Sequence, residues 1–216
     1  MTPLTVWGRR SAFNVQKVLW FLGELGITFT HHNAGGSFGG LSSPDFLAMN
    51  PHARVPVLKD GELIVWESHA ILRYLAATYG GEGFWSASPA VRARIDGWMD
   101  WAQTTLQPDF MRLFWGFYRM PTPQRNNTQI KAAQAQCDQH FRRINEWLGQ
   151  YPYLAGPEFT LADVPAGTAL YRYFEMGLDV VCHSHVMEWY ARLAERSGYR
   201  EHVMVPFGEL QGRLEF

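Results

Sequence analysis

The chain has 216 residues, of which 47% are hydrophobic and 18% are charged, a composition that can bury a substantial core and argues against intrinsic disorder. Lys and Arg together number 19 and Asp and Glu number 20, so the formal net charge is -1. This balance gives no electrostatic reason to expect binding to nucleic acid or to an anionic membrane. The two cysteines, Cys137 and Cys182, exclude a disulfide scaffold and a paired-cysteine zinc or redox motif.

The sequence pattern favours a soluble protein of the cytoplasm. The first apolar run, Leu4–Gly8, is followed by Arg9 and Arg10, whereas a secretory signal carries its positive charge before the apolar stretch. No run approaches the roughly 20 consecutive apolar residues that cross a bilayer. The small number of cysteines is also typical of a reducing compartment.

The first eighty residues alternate between strand-like and helix-like patterns. The apolar run Leu4–Trp7 predicts a first strand, and Ile27–His31 predicts a second. Between them, apolar residues three and four positions apart predict a helix that ends before Gly26. The apolar positions of this helix are Val15, Val18, Leu19, Leu22 and Leu25. Because a strand, a helix and a strand in succession favour a parallel pair, we expect these two strands to lie side by side.

A glycine- and serine-rich loop, Ala34–Ser43, with at most one turn of helix, leads to two further strands. These strands are Val55–Leu58 and Leu63–Val65, and the Asp60-Gly61 pair between them is typical of a hairpin turn. A helix follows and ends at Gly80. Its apolar face consists of Ile71, Leu72, Leu75 and Tyr79. The pattern therefore predicts a small mixed sheet of four strands with helices on its faces.

From residue 88 onward the chain contains only helical patterns. One run covers residues 88–118 and includes Pro108, which predicts a kink or a break. Further helices are predicted over Gln124–Leu148, Leu161–Gly177 and Val186–Ser197. We therefore divide the chain into an α/β domain at residues 1–80, a linker at residues 81–87 and an all-helical domain at residues 88–216.

Three short segments of the first domain carry candidate binding residues. They are Ser11–Asn14 before the first helix, Arg54–Pro56 at the entry to the third strand and Glu67–Ser68 at the start of the next helix. In a thioredoxin-like sheet these three places meet at one edge, where backbone N–H groups and helix dipoles point at the same spot. Such a spot suits an anion, and it favours the thiolate form of a thiol whose pKa is normally about 8.5.

Each of these segments suits one part of a short peptide. If the peptide bond before Pro56 is cis, the backbone of Val55 faces outward and can pair with an extended peptide. Glu67 can bind an α-amino group, and Ser68 with the N–H groups at its helix start can bind an α-carboxylate. The residues therefore describe a pocket for a small peptide that carries both charges and a thiol.

Four sequence motifs, spread over both predicted domains, carry a family resemblance. They are Ser11–Val18, Asn50–Leu58, Trp66–Ile71 and Leu154–Asp163. In order and spacing they resemble the soluble glutathione transferase family over essentially the whole chain, with the closest similarity to bacterial theta-like or nu-like members. The resemblance implies an N-terminal thioredoxin-like domain with a mixed four-stranded sheet, an all-helical second domain, a homodimer and a role in detoxification. It also implies glutathione as cosubstrate, a small hydrophobic electrophile as second substrate, and no metal or redox cofactor.

The resemblance also assigns roles to residues of this sequence by position. Val55 resembles the residue whose backbone pairs with the cysteinyl part of glutathione. Glu67 and Ser68 resemble the pair that holds the γ-glutamyl end of glutathione. Arg54 occupies a position that is often polar in the family, from which it can reach a carboxylate. The segment Thr160–Asp163 resembles the family's buried capping box, which is structural.

The position that would stabilise the glutathione thiolate departs from the family pattern. The serine or cysteine of related classes falls on Ala12, with Ser11 one residue earlier. Three donors remain open, namely the Ser11 hydroxyl, the Asn14 side-chain amide and backbone N–H groups alone. We favour Ser11 over Asn14, and the competing interpretation is that Ser11 is only the N-cap of the first helix. Because no cysteine lies here, the members that form mixed disulfides are a poor match.

An aromatic stripe in the helical domain is the candidate site for the second substrate. Its residues Met111, Phe114, Trp115 and Tyr118 lie at steps of three, one and three positions, which is the spacing of one helical face. We expect this stripe to form a partly open apolar wall over the peptide site. The alternative interpretation is an ordinary contact within the core or between two subunits.

The sequence therefore predicts an enzyme that transfers alkyl or aryl groups to glutathione by attack of its thiolate on a hydrophobic electrophile. A glutathione-dependent peroxidase or disulfide reductase is one alternative. A glutathione-binding module of the same fold without catalysis is another, and Ala12 keeps it open. A zinc site is not expected, because His31 and His32 point to opposite faces of a strand and have no carboxylate or cysteine at ligand spacing.

Overall fold

The computed structural model describes residues 4–215, and its first half is built on one mixed sheet. The strands are β1 (Leu4–Trp7), β2 (Phe29–His32), β3 (Val57–Asp60) and β4 (Leu63–Trp66). Their order in the sheet is β2-β1-β3-β4. β1 is parallel to β2 and antiparallel to β3, and β3 pairs with β4 in an antiparallel hairpin. The predicted mixed sheet of four strands is therefore confirmed.

Two helices of the first half, α1 (Phe13–Glu24) and α3 (Ser68–Tyr79), pack against each other beside the sheet. A shorter helix, α2 (Pro44–Met49), lies between β2 and β3 in the chain. α1 is also enclosed by helices of the second half, and apolar side chains of both halves form one continuous core. As a result, even the polar residues Gln16 and Lys17 of α1 are only 1% and 0% exposed.

The second half is built from helices, and none of the helices among residues 4–215 has both the length and the apolar character of a membrane span. The helices are α4 (Gly81–Phe84), α5 (Pro89–Trp101), α6 (Gln107–Leu113), α7 (Asn127–Leu148), α8 (Asp163–Glu175), α9 (Ser184–Ala194) and α10 (Ser197–His202). α4 lies inside the segment 81–87 that the sequence predicts as a linker. α10 was not predicted, because six residues are too few to display an apolar period. It packs closely on α1, where a Cβ added at Gly23 would lie 3.0 Å from the Cα of Gly198.

The long helical run that begins at Pro89 continues through Pro108, so of the kink or break predicted at this residue the break is wrong. The segments Ala102–Leu106 and Phe114–Arg119, on either side of α6, are π-helical, and the backbone remains helical at Gln107. Proline has no N–H for a hydrogen bond to the preceding turn. The wider π-helical turn directly before it accommodates this loss.

The start of α8 is organised around the buried carboxylate of Asp163, which is 0% exposed. Its oxygens accept hydrogen bonds from the backbone N–H of Leu154 at 2.9 Å and of Thr160 at 3.0 Å. They also accept one from the indole N–H of Trp189 in α9 at 3.0 Å. These contacts agree with the structural role that the resemblance implies for Thr160–Asp163, and they tie the loop before α8 to α9.

Candidate functional site

An open cleft of about 410 Å³ lies between the sheet and the helical half of the chain. It is lined by the predicted residues Ser11, Asn14, Arg54 and Val55 from the sheet side and by Met111, Phe114 and Trp115 from the helical side. Glu67, Ser68 and Tyr118 do not line this cleft. The fold thus brings together most of the residues that the sequence singles out, although they come from both halves of the chain.

The start of α1 opens into the cleft without a side-chain cap. The N-cap residue is Ala12, whose backbone is extended and whose methyl group cannot accept a hydrogen bond, so the interpretation of Ser11 as the N-cap is wrong. The N–H groups of the first helical turn have no acceptor within the helix. Together with the helix dipole they favour an anion.

A buried arginine from the second half of the chain holds the backbone of Ser11. Nη2 of Arg172 in α8 donates to the Ser11 carbonyl at 2.6 Å and to Oε1 of Gln16 at 2.9 Å. Burial, together with the charges of Arg9 and Arg119, lowers the pKa of Arg172 to about 9, so the guanidinium stays protonated at neutral pH. Ser11 is 8% exposed and lines the cleft.

Asn14 is oriented by a glutamine from α6. Its Oδ1 accepts a hydrogen bond from Nε2 of Gln107 at 3.2 Å, and Oε1 of Gln107 accepts one from Nζ of Lys17 at 2.6 Å. The same Nζ lies 3.2 Å from Nε2 of His69 in α3. A chain of polar contacts therefore runs from the start of α1 through α6 to the start of α3. Because Oδ1 faces Gln107, the amide N–H groups of Asn14 are directed away from Gln107.

Lys17 is a buried cation without an ion pair among residues 4–215. It is 0% exposed, and burial lowers its pKa to about 7. The negative charge of Glu67 partly opposes this shift. The neighbouring imidazole of His69 has its pKa lowered to about 2, chiefly by burial and also by the charges of Lys17 and Arg73. His69 is therefore neutral, and Lys17 is the titrating group of this chain of contacts near pH 7.

Val55 precedes the sheet and lines the cleft. The bond between Val55 and Pro56 is cis, and the pairing of β3 with its neighbours begins only at Val57. Within residues 4–215 neither the N–H nor the carbonyl of Val55 bonds another backbone group. Asn50 supports the preceding loop by donating from Nδ2 to the Arg54 carbonyl at 2.9 Å. An extended peptide can therefore pair with Val55.

Glu67 and Ser68 lie where β4 passes into α3, next to the cleft rather than on its surface. Val57 pairs with Trp66 in the sheet, so continuing the antiparallel register brings Val55 to the same edge as Ser68. Glu67 is exposed and has a φ of 71°, a left-handed value that is unfavourable for glutamate. Ser68 is 1% exposed, and its Oγ has no hydrogen-bond partner within residues 4–215. A buried, unsatisfied hydroxyl costs free energy, which a ligand at this helix start can offset.

Three of the four residues predicted for the apolar wall, Met111, Phe114 and Trp115, line the cleft. Trp115 is 40% exposed, with the guanidinium of Arg119 3.7 Å from its ring centre. Tyr118 is instead 8% exposed and packs between Phe114 and Phe207, with ring centres 5.2 and 4.9 Å away. Phe114 is also buried, at 1% exposed, but it lines the cleft and Tyr118 does not. The assignment of Tyr118 to the wall is therefore corrected, and the π-helical turn that begins at Phe114 has more residues per turn than the α-helix assumed for the stripe.

Several residues of the site escape the sequence analysis. Arg172, Gln107 and His69 lie far from the start of α1 in the chain, and no local pattern connects them with it. Lys17 could have been singled out from the sequence, because it is a charged residue in a helix whose other residues are mostly apolar. Within the part of the chain that the structure describes, no group of three potential metal ligands occurs.

The fold and the cleft together define a class of protein. A thioredoxin-like domain offers an uncapped helix start to an anion, and a helical domain closes the other side of the cleft with an apolar wall. The chain matches the sequence model of the glutathione S-transferase N-terminal domain over residues 2–77 and that of the glutathione S-transferase C-terminal domain over residues 106–197. The chain therefore belongs to the glutathione S-transferase family.

Individual relatives agree with this assignment. The chain is 40% identical over 205 residues to glutathione S-transferase GstB of Escherichia coli K12, covering 94% of this chain and 99% of the relative. It is 31% identical to rat glutathione S-transferase theta-1, over 80% and 74% of the two chains. The theta class glutathione S-transferase of Xanthomonas axonopodis pv. citri, solved with glutathione bound, superposes with a TM-score of 0.90 at 42% identity, over 95% and 99% of the chains. The predicted family, fold and class of activity are confirmed.

Proposed function

We propose that the cleft binds glutathione with its sulfur at the start of α1 and transfers the tripeptide to a hydrophobic electrophile held against Met111, Phe114 and Trp115. The observation that carries this proposal is the uncapped helix start at Ala12, which faces the apolar wall across one cleft. The thiolate attacks an electrophilic carbon, a C–S bond forms, and the leaving group departs with its bonding electrons. The thiol proton passes to solvent.

Thiolate stabilisation is the chemical task of the protein in this proposal. Lowering the thiol pKa by about two units from about 8.5 requires about 2.7 kcal/mol of differential stabilisation. A helix start contributes up to about 2 kcal/mol in a partly buried setting, and one hydrogen bond to a charged group contributes about 1.5–3 kcal/mol. The first-turn N–H groups and the Ser11 hydroxyl, or the Asn14 amide, are together sufficient.

The tripeptide is oriented by its backbone and its two charged ends. Its cysteinyl part pairs with the free backbone groups of Val55, as an added strand does at a sheet edge. Its γ-glutamyl amino group meets the exposed carboxylate of Glu67, and its γ-glutamyl carboxylate meets the start of α3 and the unsatisfied Oγ of Ser68. Arg54, on the cleft surface, takes the remaining carboxylate.

Calorimetry with glutathione and a conjugation assay with 1-chloro-2,4-dinitrobenzene test this function. We expect saturable binding and formation of the aryl thioether with release of chloride. Binding without conjugation, but with oxidation of glutathione by a hydroperoxide or a disulfide, would instead support the peroxidase or reductase alternative. Binding with neither reaction would support the non-catalytic module. Absence of any heat of binding would overturn the proposal.

We propose further that two copies of the chain associate through the helical half, in the cytoplasm. A second open cleft of about 420 Å³ is lined mainly by apolar groups, including Trp98, Trp101 and Trp147, the last of which is 39% exposed. A monomer would leave this surface in water at a cost. Light scattering should give twice the chain mass, and Trp147→Arg should lower it. Val181→Arg, at an apolar residue that is 55% exposed outside this cleft, is the control and should leave the mass unchanged.

A further inference from the structure

The cleft is not uniformly apolar, because four arginines line it. They are Arg9, Arg54, Arg119 and Arg172, and no aspartate or glutamate is among the described residues that line the cleft. The chain as a whole has a net charge of -1. The positive charge of the cleft is therefore a local concentration and does not follow from the composition.

Three of these arginines, Arg9, Arg119 and Arg172, interact electrostatically with one another, and we call them the arginine cluster. Two of them contact the aromatic residues of the wall. The guanidinium of Arg119 stacks 3.7 Å from the ring centre of Trp115, and that of Arg172 lies 5.3 Å from the ring centre of Phe114. Arg9 interacts electrostatically with both other members. Glu67 and Ser68, where the proposed function puts the charged γ-glutamyl end, do not line the cleft that these arginines line.

The cluster is organised before any ligand arrives. Arg119 is 4% exposed and donates from Nε to the Arg213 carbonyl at 2.8 Å and from Nη2 to the Leu214 carbonyl at 3.3 Å. Arg172 is 3% exposed, and its bonds to Ser11 and Gln16 fix its plane. Since these side chains are already ordered, little conformational entropy is lost when they bind a ligand.

Holding these cations together out of water is unfavourable. Burial lowers the pKa of Arg9, of Arg119 and of Arg172, and repulsion between members of the cluster lowers the last two further. The negative charge of Glu209 raises the pKa of Arg9 and of Arg172 and so partly opposes this lowering. Because the pKa of Arg172 stays near 9, its guanidinium is charged at neutral pH. An anion bound on this side of the cleft relieves the repulsion.

We infer that the preferred second substrate is an aromatic electrophile that carries a carboxylate: its ring packs on the wall of Met111, Phe114 and Trp115 and its carboxylate faces the arginine cluster. This inference rests on the proposed function and specifies its substrate class. With an aryl chloride, the glutathione sulfur bonds to the ring carbon that bears chlorine, the C–Cl bond breaks, and chloride leaves with the electron pair. The carboxylate itself does not react.

A matched pair of electrophiles tests the inference. 4-Chloro-3,5-dinitrobenzoate and its methyl ester share the reacting carbon and differ in charge. We expect kcat/KM, divided by the uncatalysed rate with glutathione, to be about ten-fold higher for the carboxylate, which corresponds to about 1.4 kcal/mol. Added salt should reduce this preference, because it screens the charges. A ratio of one or less would overturn the inference, whereas turnover of the ester alone still supports the proposed function.

Substitutions in the arginine cluster test whether it causes the preference for the carboxylate. Arg9→Gln and Arg119→Gln should each bring the ratio toward one by raising KM for the carboxylate more than for the ester. Arg142→Gln, at an exposed arginine of α7 paired with Asp138, is the control and should retain the ratio. A ratio unchanged in both cluster variants would contradict the assignment.

A binding measurement keeps the inference testable if conjugation is absent or a variant does not fold. Calorimetry with 3,5-dinitrobenzoate and with methyl 3,5-dinitrobenzoate, neither of which can lose chloride, compares the two charge states on the unmodified protein saturated with glutathione. Tighter binding of the carboxylate supports the inference. Equal or weaker binding of the carboxylate refutes it.

Discussion

Replacing Lys17 by methionine should stabilise the protein near neutral pH. The ammonium is fully buried, and it contacts only the Gln107 amide oxygen and neutral His69 as hydrogen-bonding partners within residues 4–215. Burial lowers its pKa from 10.5 to about 7. At 1.36 kcal/mol per pKa unit, the free-energy cost of burying the protonated side chain is about 5 kcal/mol. Methionine removes this cost but leaves Gln107 without its donor, a loss of about 1–3 kcal/mol. We expect a net gain of about 2 kcal/mol at pH 7.

The pH dependence provides the sharper test. Below pH 7 the lysine is protonated in both the folded and the unfolded state, so the full cost is present. Between about pH 7 and 10.5 the folded protein loses the Lys17 proton and the unfolded chain keeps it, so the native protein gains stability as the pH rises. The advantage of the methionine variant should therefore shrink by about 2 kcal/mol between pH 7 and pH 9.

Urea unfolding at pH 7, 8 and 9, followed by tryptophan fluorescence, measures this difference. Working above pH 7 avoids the titration of His69, whose pKa depends partly on Lys17. Lys131→Met, at an exposed position of α7, is the control and should show no change with pH relative to the unmodified protein. A stability difference for Lys17→Met that stays constant from pH 7 to 9 would refute the reasoning.

Four further substitutions test the site and its scaffold. Ser11→Ala should lower kcat/KM by about ten-fold, or about 1.4 kcal/mol, and a loss confined to Asn14→Ala would transfer the role to that residue. Glu67→Gln should raise the KM for glutathione with little change in kcat, and an unchanged KM would count against its role. Asp163→Ala should lower the free energy of unfolding by about 3 kcal/mol, because two backbone N–H groups and one indole N–H lose their acceptor; a urea midpoint within error of the unmodified protein would contradict this.

Local patterns were enough to predict most of the secondary structure. The apolar run at Leu4–Trp7 coincides with β1, and the periodic residues after it lie in α1. The break predicted as one outcome at Pro108 does not occur, because a π-helical turn keeps the run helical. The helix Ser197–His202 was missed because it is too short to show a period. Both depend on hydrogen bonding and packing beyond the local sequence.

The candidate site was predictable from the sequence where short motifs mark the start of a strand or of a helix. Ser11, Asn14, Arg54 and Val55 lie on one cleft because the topology of the sheet brings the segments before α1 and β3 to the same edge. Tyr118 could not be placed from its spacing, since the width of the helical turn decides which way it points. Its role in the core is a property of the packing.

Composition and apolar periodicity were thus sufficient to predict the fold class, because they depend on residues that are neighbours in the chain, and the resemblance of four ordered motifs predicted the kind of ligand. The charge of the cleft and the state of its buried groups were decided only on folding. Arg172 meets the Ser11 carbonyl although 161 positions separate them, and Lys17 loses its water because helices of both halves close around α1. Burial and long-range contact set the electrostatics of a site, and neither can be read from residues that are adjacent in sequence.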